Sequence, residues 1–106
     1  MSIEELFERQ SSLQFRMFNK ETPIDSVEDF KYSILALIGE LGEVLEADKR
    51  WKNIRSCGCN KEEKLDELVD CMAFLVNAIL YSGFSAEEFS EAFRNKNIKN
   101  FERLVK

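Results

Sequence analysis

Apolar residues recur at intervals of three and four along most of this chain, without any sustained alternation of apolar and polar positions. The first pattern is typical of amphipathic helices and the second of half-buried strands, so the sequence predicts an all-α protein. Residues that favour helix N-termini interrupt the pattern four times. The predicted helices run from Ser2 to about Asn19, from Ser26 to about Lys52, from Asn60 to about Ser82, and from Ser85 to Asn97 or beyond.

With 106 residues, the chain has the length of one small domain. Short connections between the predicted helices favour antiparallel neighbours. The expected fold is therefore an antiparallel bundle of four to five helices, formed by a single domain over residues 1–106. The segment from Asn53 to Asn60 is predicted to be the loop between the second and third helices.

Two short acidic motifs lie inside the most apolar parts of the second and third predicted helices. They are Glu40-x-x-Glu43 and Glu67-x-x-Asp70. Residues three apart share one face of a helix, so each motif presents a pair of carboxylates. A single such pair is usually solvated surface charge. Two pairs beside apolar positions favour a shared site, because gathered carboxylates repel one another and lose hydration unless cations neutralise them.

The cation that suits such a site is a hard divalent ion. Carboxylate oxygens are preferred ligands of Mg²⁺, with Mn²⁺ as the alternative. Mg²⁺ keeps several waters and recruits substrate phosphates, and a nearby carboxylate can take a proton from water. The residues therefore favour metal-dependent hydrolysis of a polyphosphate, with both metal-binding and catalytic roles predicted for Glu40, Glu43, Glu67 and Asp70.

Composition excludes several other classes of chemistry. The chain has no histidine, which excludes Ser-His-Asp and Cys-His catalysis and His-containing zinc or di-iron sites. Its three cysteines are too few for a Cys₄ zinc site. A formal net charge of −5 argues against binding a nucleic acid polymer through overall charge. No apolar run reaches the roughly 20 residues that span a bilayer, and the N-terminus is acidic, so a cytoplasmic protein without membrane contact is expected.

Apolar and basic positions add further expectations. In the second helix the core stripe is predicted at Ile34, Leu37, Ile38, Leu41 and Leu45. In the fourth helix Phe93 and Phe101 are expected to pack inward. Trp51 lies among three basic residues, where it could stack on a nucleobase or cover a partner subunit.

Lys96, Asn100 and Arg103 are spaced four and three apart, so one helical face can carry all three. Such donors suit the charge of a triphosphate. The alternative is that basic residues near a helix C-terminus only complement the helix dipole.

Two stretches resemble the MazG-like, all-α NTP pyrophosphohydrolase superfamily, whose signature is Glu-x-x-Glu, a variable gap and Glu-x-x-Asp. They are Leu35-Ala36-Leu37-Ile38-Gly39-Glu40-Leu41-Gly42-Glu43 and Asp66-Glu67-Leu68-Val69-Asp70. The later run Lys96-Asn97-Ile98-Lys99-Asn100-Phe101-Glu102-Arg103 is similar to the Lys-Asn-x-x-Asn-x-x-Arg segment of the dimeric dUTPase branch. The resemblance covers about residues 30 to 103.

This resemblance implies an enzyme that hydrolyses a nucleoside triphosphate (dUTP, dCTP or a non-standard NTP) to the monophosphate and pyrophosphate. The four acids would hold Mg²⁺, and one of them would activate the attacking water. Phosphate binding is implied for Lys96, Asn100 and Arg103, and base binding for Gln14, Trp51 and Asn77. Because typical dimeric dUTPases are longer, the active site is expected within an oligomeric helical bundle, in a homodimer or homotetramer.

Two alternatives stay open. One is phosphoribosyl-ATP pyrophosphohydrolase, an enzyme class that shares the superfamily pattern. The other is a non-catalytic helical interaction module whose acidic pairs only decorate a bundle. Turnover of a panel of nucleotides with Mg²⁺ separates the enzymes from the module.

Overall fold

The computed structural model describes residues 1–52 and 58–105. Within these ranges the chain forms four α-helices, one short 3₁₀ helix and no β-strand, which confirms the prediction of an all-α protein. The α-helices are α1 (Ile3–Phe18), α2 (Val27–Ala47), α3 (Lys61–Leu80) and α4 (Ala86–Leu104), and the 3₁₀ helix is Arg50–Lys52. In the described part of the chain, no helix combines the length and the apolar character needed to cross a membrane.

Capping side chains fix the starts of α1, α3 and α4. The Ser2 hydroxyl and the Asn60 carboxamide oxygen each accept a hydrogen bond of 3.1 Å from the backbone N–H three residues later. Ser85 and Glu88 form a complete capping box, in which each side chain accepts from the other's backbone N–H. These bonds satisfy N–H groups that have no partner inside the helix, and they confirm the predicted starts of these three helices.

Helix α2 ends at Ala47, so the predicted boundary near Lys52 is wrong. After Ala47 the backbone turns toward the start of α3. The Lys49 N–H donates to the Gly58 carbonyl at 3.0 Å, and the Asn60 N–H donates to the Ala47 carbonyl at 2.9 Å. Since these groups bond across the connection, they cannot continue the helix. Residues 53–57 of the predicted loop lie outside the described residues.

Residues in the left-handed conformation follow two of the helices. Asn19 has a φ of 55° at the C-cap of α1, and Gly83 has a φ of 83° shortly after α3. Asn and Gly are the residues that adopt this conformation most readily. The turns after α1 and α3 therefore follow from local sequence.

Backbone contacts divide the chain into two compact units. The first joins Met1–Ser26 to Ile79–Lys106 and contains α1 and α4; the second is Val27–Ala78 and contains α2 and most of α3. In the first unit the ring of Phe7 lies 5.7 Å from that of Phe89, measured between centroids. There the buried Tyr81 hydroxyl also donates to the side-chain oxygen of buried Gln14 at 3.0 Å. A single domain over the whole chain stays a prediction.

The predicted core stripe of α2 is only partly buried. Ile34 and Leu37 are half-buried, whereas Ile38, Leu41 and Leu45 are exposed. The exposed apolar side chains of α3 are Leu65, Leu68, Val69, Met72 and Leu75. The second unit therefore presents apolar helix surface that the described residues leave exposed.

The prediction that Phe93 and Phe101 pack inward is wrong, because both side chains are exposed. Of residues 91–105, all except the half-buried Asn100 are exposed. Helical periodicity identifies the apolar face of such a segment. It does not tell whether the same chain covers that face.

Candidate metal centre

Three of the four predicted metal-binding carboxylates lie together. One carboxylate oxygen each of Glu40 on α2 and of Glu67 and Asp70 on α3 lies within 4.8 Å of the other two. Glu40 and Glu67 are half-buried, and Asp70 is exposed. Glu67 and Asp70 are three residues apart, so one face of α3 carries both. These three residues are called the acidic cluster below.

The contacts of the second unit show that α2 and α3 run antiparallel. Just after α2, Asp48 contacts Lys64 in the first turn of α3. Two turns earlier in the chain, Glu40 lies beside Glu67 and Asp70, which are further along α3. Later residues of α3 thus contact earlier residues of α2. The two helices are therefore antiparallel neighbours. This pairing brings the two acidic motifs to one place.

Glu43, the second acid of the first motif, is not part of the acidic cluster. Its side chain is exposed, about one turn along α2 from Glu40. Its negative charge nevertheless contributes to the raised pKa of Glu67. A role for Glu43 as a metal ligand stays a prediction.

The carboxylates of the acidic cluster repel one another. A hydrogen bond with Glu40, then desolvation, and then the charges of Glu40, Asp70 and Glu43 raise the pKa of the Glu67 carboxyl above its ordinary value. Within residues 1–52 and 58–105, no ion pair joins the cluster to a Lys or Arg side chain. A bound divalent cation would relieve this repulsion.

Cys71 is the sulfur group nearest in sequence to the cluster, and its thiol is buried. Burial raises the pKa of this thiol, and the charges of Glu40, Glu67 and Asp70 raise it further. Both effects favour the protonated thiol. Among the described residues, the potential ligand atoms gathered here are carboxylate oxygens.

A further carboxylate of the same unit, Asp48, is neutralised within the chain. Its Oδ1 accepts from the backbone N–H and the Nε of Arg50 at 3.2 and 2.8 Å. Its Oδ2 accepts from Nη2 of Arg50 at 2.7 Å and from Nζ of Lys64 at 2.8 Å. These contacts, those of Arg50 most strongly, hold the pKa of Asp48 well below its usual range. This group, called the Asp48 bridge below, was missed by sequence reasoning.

The three predicted phosphate-binding residues lie along one face of α4, as their spacing predicts. Nη2 of Arg103 donates to Oδ1 of Asn100 at 3.5 Å, the long limit for a hydrogen bond. Lys96 and Arg103 are exposed, and Asn100 is half-buried. These residues belong to the first compact unit and the acidic cluster to the second, and phosphate binding by them stays a prediction.

The predicted base-binding residues occupy different environments. Gln14 on α1 and Asn77 on α3 are buried. Trp51 is exposed; its Nε1 donates to the Leu45 carbonyl at 2.9 Å, and the Lys52 ammonium lies 5.5 Å from its ring centroid. Trp51 follows α2, beside the start of α3, whereas Asn77 lies near the end of α3, so these two are not brought together. Base binding by the three residues stays a prediction.

Comparisons with known proteins bear on this site. A family model described as dUTPase matches residues 2–82 of the chain. The matched range includes α1, α2, α3 and both acidic motifs. It ends before the segment from Lys96 to Arg103. No curated protein and no solved structure matches the chain.

Proposed function

Because this chain belongs to the dUTPase family of MazG-like, all-α NTP pyrophosphohydrolases, we propose that it converts a nucleoside triphosphate to the monophosphate and pyrophosphate. Candidate substrates are dUTP, dCTP and non-standard nucleoside triphosphates. The family match supports hydrolysis of a nucleoside triphosphate but does not specify which one. The structural observation that carries the proposal is the acidic cluster, in which three carboxylates from two helices converge, with no ion pair to a Lys or Arg side chain among residues 1–52 and 58–105.

The acidic cluster fits Mg²⁺, with Mn²⁺ as an alternative. Its three oxygen ligands, all within 4.8 Å of one another, match the preference of these ions for carboxylate oxygens. Mg²⁺ seldom occupies an all-protein cage, so water and substrate phosphates would complete its coordination. When bound, the ion supplies positive charge that neutralises the phosphates and makes water a stronger acid.

The residues of the chain would then divide the remaining tasks. Glu40, Glu67 and Asp70 hold the ion. A carboxylate outside the coordination shell can accept the proton of the attacking water, and Glu43, whose charge acts on Glu67, is the proposed candidate for this role. Attack on the phosphorus that joins the nucleoside to the terminal phosphates releases pyrophosphate and leaves the monophosphate.

Lys96, Asn100 and Arg103 are the proposed phosphate-binding residues. Arg103→Ala should raise KM for the triphosphate about tenfold, because a charge-assisted contact to phosphate is lost, with little effect on metal binding. Arg94→Ala is the matched control, since nine residues place Arg94 on the opposite side of α4. Equal KM values for the two variants would limit Arg103 to complementing the helix dipole.

A substrate panel tests the proposed function directly. Purified protein with Mg²⁺ is incubated with dUTP, dCTP, other nucleoside triphosphates and phosphoribosyl-ATP, and both products are quantified. Release of pyrophosphate from at least one nucleoside triphosphate is expected. Turnover of phosphoribosyl-ATP alone supports the second enzyme class. No turnover, together with no thermal stabilisation by Mg²⁺ plus nucleotide, leaves the non-catalytic module.

We also propose that the protein is a homodimer or homotetramer. The exposed apolar side chains of α2 and α3, among them Ile38, Leu41 and Leu68, support this proposal. Monomeric proteins rarely leave large apolar patches in water, and identical subunits cover them through symmetric contacts. Light scattering coupled to size-exclusion chromatography measures the assembly, and a particle of 12.4 kDa would contradict the proposal.

A further inference from the structure

The Asp48 bridge and the acidic cluster join the same two helices of the same compact unit. We propose that Asp48 and Lys64 are positioning residues for the metal site, which fix α2 and α3 in the register that holds Glu40 beside Glu67 and Asp70. The inference rests on the metal site of the proposed function. It extends that site to two residues that contact neither metal nor substrate.

The two cations on Asp48 act at different ranges. Arg50 is only two residues away in sequence, so its hydrogen bonds to Asp48 are local. Lys64 belongs to α3, so its contact of 2.8 Å with Oδ2 joins the end of α2 to the first turn of α3. The Lys64 contact is therefore the part of the bridge that reports on helix register.

The burial of this contact separates it from an ordinary surface ion pair. The Asp48 side chain is 15% exposed and that of Lys64 is 34% exposed. A fully exposed pair contributes little, because water and salt screen it and two mobile side chains must be ordered. Partial burial reduces the screening, and Arg50 already orders the Asp48 carboxylate by donating to both of its oxygens.

Backbone contacts fix the same junction. Asp48 and Cys59 form an antiparallel bridge. The Asn60 N–H donates to the Ala47 carbonyl at 2.9 Å. Lys64 lies one helical turn beyond Asn60, so its contact with Asp48 extends the connection from the loop into α3. Together these contacts hold the start of α3 against the end of α2.

Register matters because a slip of one residue moves a helix by about 1.5 Å and turns its side chains by about 100°. Lys64 precedes Glu67 by three residues, or about 4.5 Å along the helix axis. A slip that breaks the Asp48–Lys64 contact therefore also moves Glu67 and Asp70 away from Glu40. A metal site tolerates such a shift poorly, since ligand distances must agree within about 0.2 Å.

Isothermal titration calorimetry of the metal-free protein with Mn²⁺ alone tests this inference, because it measures the affinity for the ion. Lys64→Met removes the ammonium but keeps most of the side-chain volume, and it should weaken Mn²⁺ binding about tenfold. Arg50→Met is the matched control, because it removes a cation from the same carboxylate without breaking the link between helices. Its Mn²⁺ affinity should stay within about twofold of wild type, and Lys64→Arg should restore most of the affinity.

Two further variants keep the test decisive. Asp48→Asn should weaken binding as Lys64→Met does, and it serves if Lys64→Met does not fold. Phe7→Leu removes buried volume in the first compact unit, which contains neither the Asp48 bridge nor the acidic cluster, so it should lower stability and leave Mn²⁺ affinity unchanged.

Each remaining outcome has a definite meaning. Wild-type affinity in both Lys64→Met and Asp48→Asn overturns the positioning role. If Mn²⁺ affinity falls in proportion to lost folding stability in all three variants, the positioning role is overturned as well. Those variants are Lys64→Met, Arg50→Met and Phe7→Leu. A wild-type protein that binds no Mn²⁺ instead overturns the metal site on which the proposed function depends.

Discussion

Two groups of carboxylates in the Val27–Ala78 unit differ in what neutralises them. Asp48 contacts two cations of its own chain, at 2.7 Å for Arg50 and 2.8 Å for Lys64, and its pKa lies well below the usual range. The acidic cluster has no ion pair to Lys or Arg among the described residues, and the pKa of Glu67 is raised. The same chemical group is thus charged and satisfied at one place, and forced toward protonation at the other.

This difference is the reason for assigning a structural role to Asp48 and for proposing a functional one for the acidic cluster. A carboxylate whose charge is matched inside the chain favours the folded state and gains little from an added ion. Acids gathered without a counter-charge oppose folding and gain most from a divalent cation. A pKa that is raised by neighbouring like charges, in a close cluster of titratable groups, is characteristic of functional sites.

The largest expected effect is on turnover, when an Asp→Asn substitution in the acidic cluster is compared with one in the Asp48 bridge. Asp70→Asn should lower kcat/KM about 1000-fold or more, because a proposed metal ligand is lost. Asp48→Asn should lower it about tenfold at limiting Mg²⁺ and recover at saturating Mg²⁺, since the ligands themselves remain. Steady-state release of pyrophosphate measures both, with circular dichroism to verify folding. Equal losses at saturating Mg²⁺ would erase the distinction between the groups.

The next largest effect is on stabilisation by metal. At a Mn²⁺ concentration 100 times its Kd, the wild-type protein should gain about 2.7 kcal/mol of unfolding free energy. Glu67→Gln should lose most of this gain, whereas Arg50→Met should keep it. Urea unfolding in Mn²⁺ and in EDTA measures the difference. An undiminished gain in Glu67→Gln would remove Glu67 from the metal site.

The acidic cluster could be predicted from the sequence, because the spacing inside each motif is local and two acidic pairs beside apolar positions of adjacent helices favour a shared site. Three-residue spacing places Glu67 and Asp70 on one helical face, and capping residues set the starts of α1, α3 and α4. The family match confirms the resemblance seen in the two acidic motifs. The position of Glu43 outside the cluster was not predictable from spacing, which places it near Glu40 but does not fix where its carboxylate points.

The Asp48 bridge could not be predicted, because it depends on tertiary structure. Asp48 and Lys64 are 16 residues apart in sequence, and they meet because the chain turns after Ala47. The sequence pattern instead continues α2 to Lys52. The exposure of Phe93 and Phe101 was missed for a related reason. Helical periodicity identifies which face of a helix is apolar, whereas burial depends on what covers that face.

A smaller effect, of opposite sign in the two groups, is expected on stability without metal. In EDTA, Glu67→Gln should raise the unfolding midpoint by a few degrees, because it removes one of the repelling charges. Asp48→Asn should lower it by a few degrees, because Lys64 loses its counter-charge. Glu28→Gln is the control, since the Glu28 side chain is largely exposed and its ion pair is long at 3.9 Å. Changes of the same sign in both variants would contradict the comparison.

The smallest effect is the pH dependence of stability in the metal-free protein, and its sign again differs. The folded-state pKa of Asp48 is lowered, so its stabilisation is complete above the unfolded value of about 3.9 and is lost as pH falls below it. The folded-state pKa of Glu67 is raised, so its destabilisation at neutral pH is relieved as pH falls through that raised value. Unfolding midpoints measured against pH should therefore converge for wild type and Glu67→Gln on mild acidification. They should converge for wild type and Asp48→Asn only below about pH 4. Curves that stay parallel in the mildly acidic range would show that Glu67 lacks the raised pKa that distinguishes the acidic cluster from the Asp48 bridge.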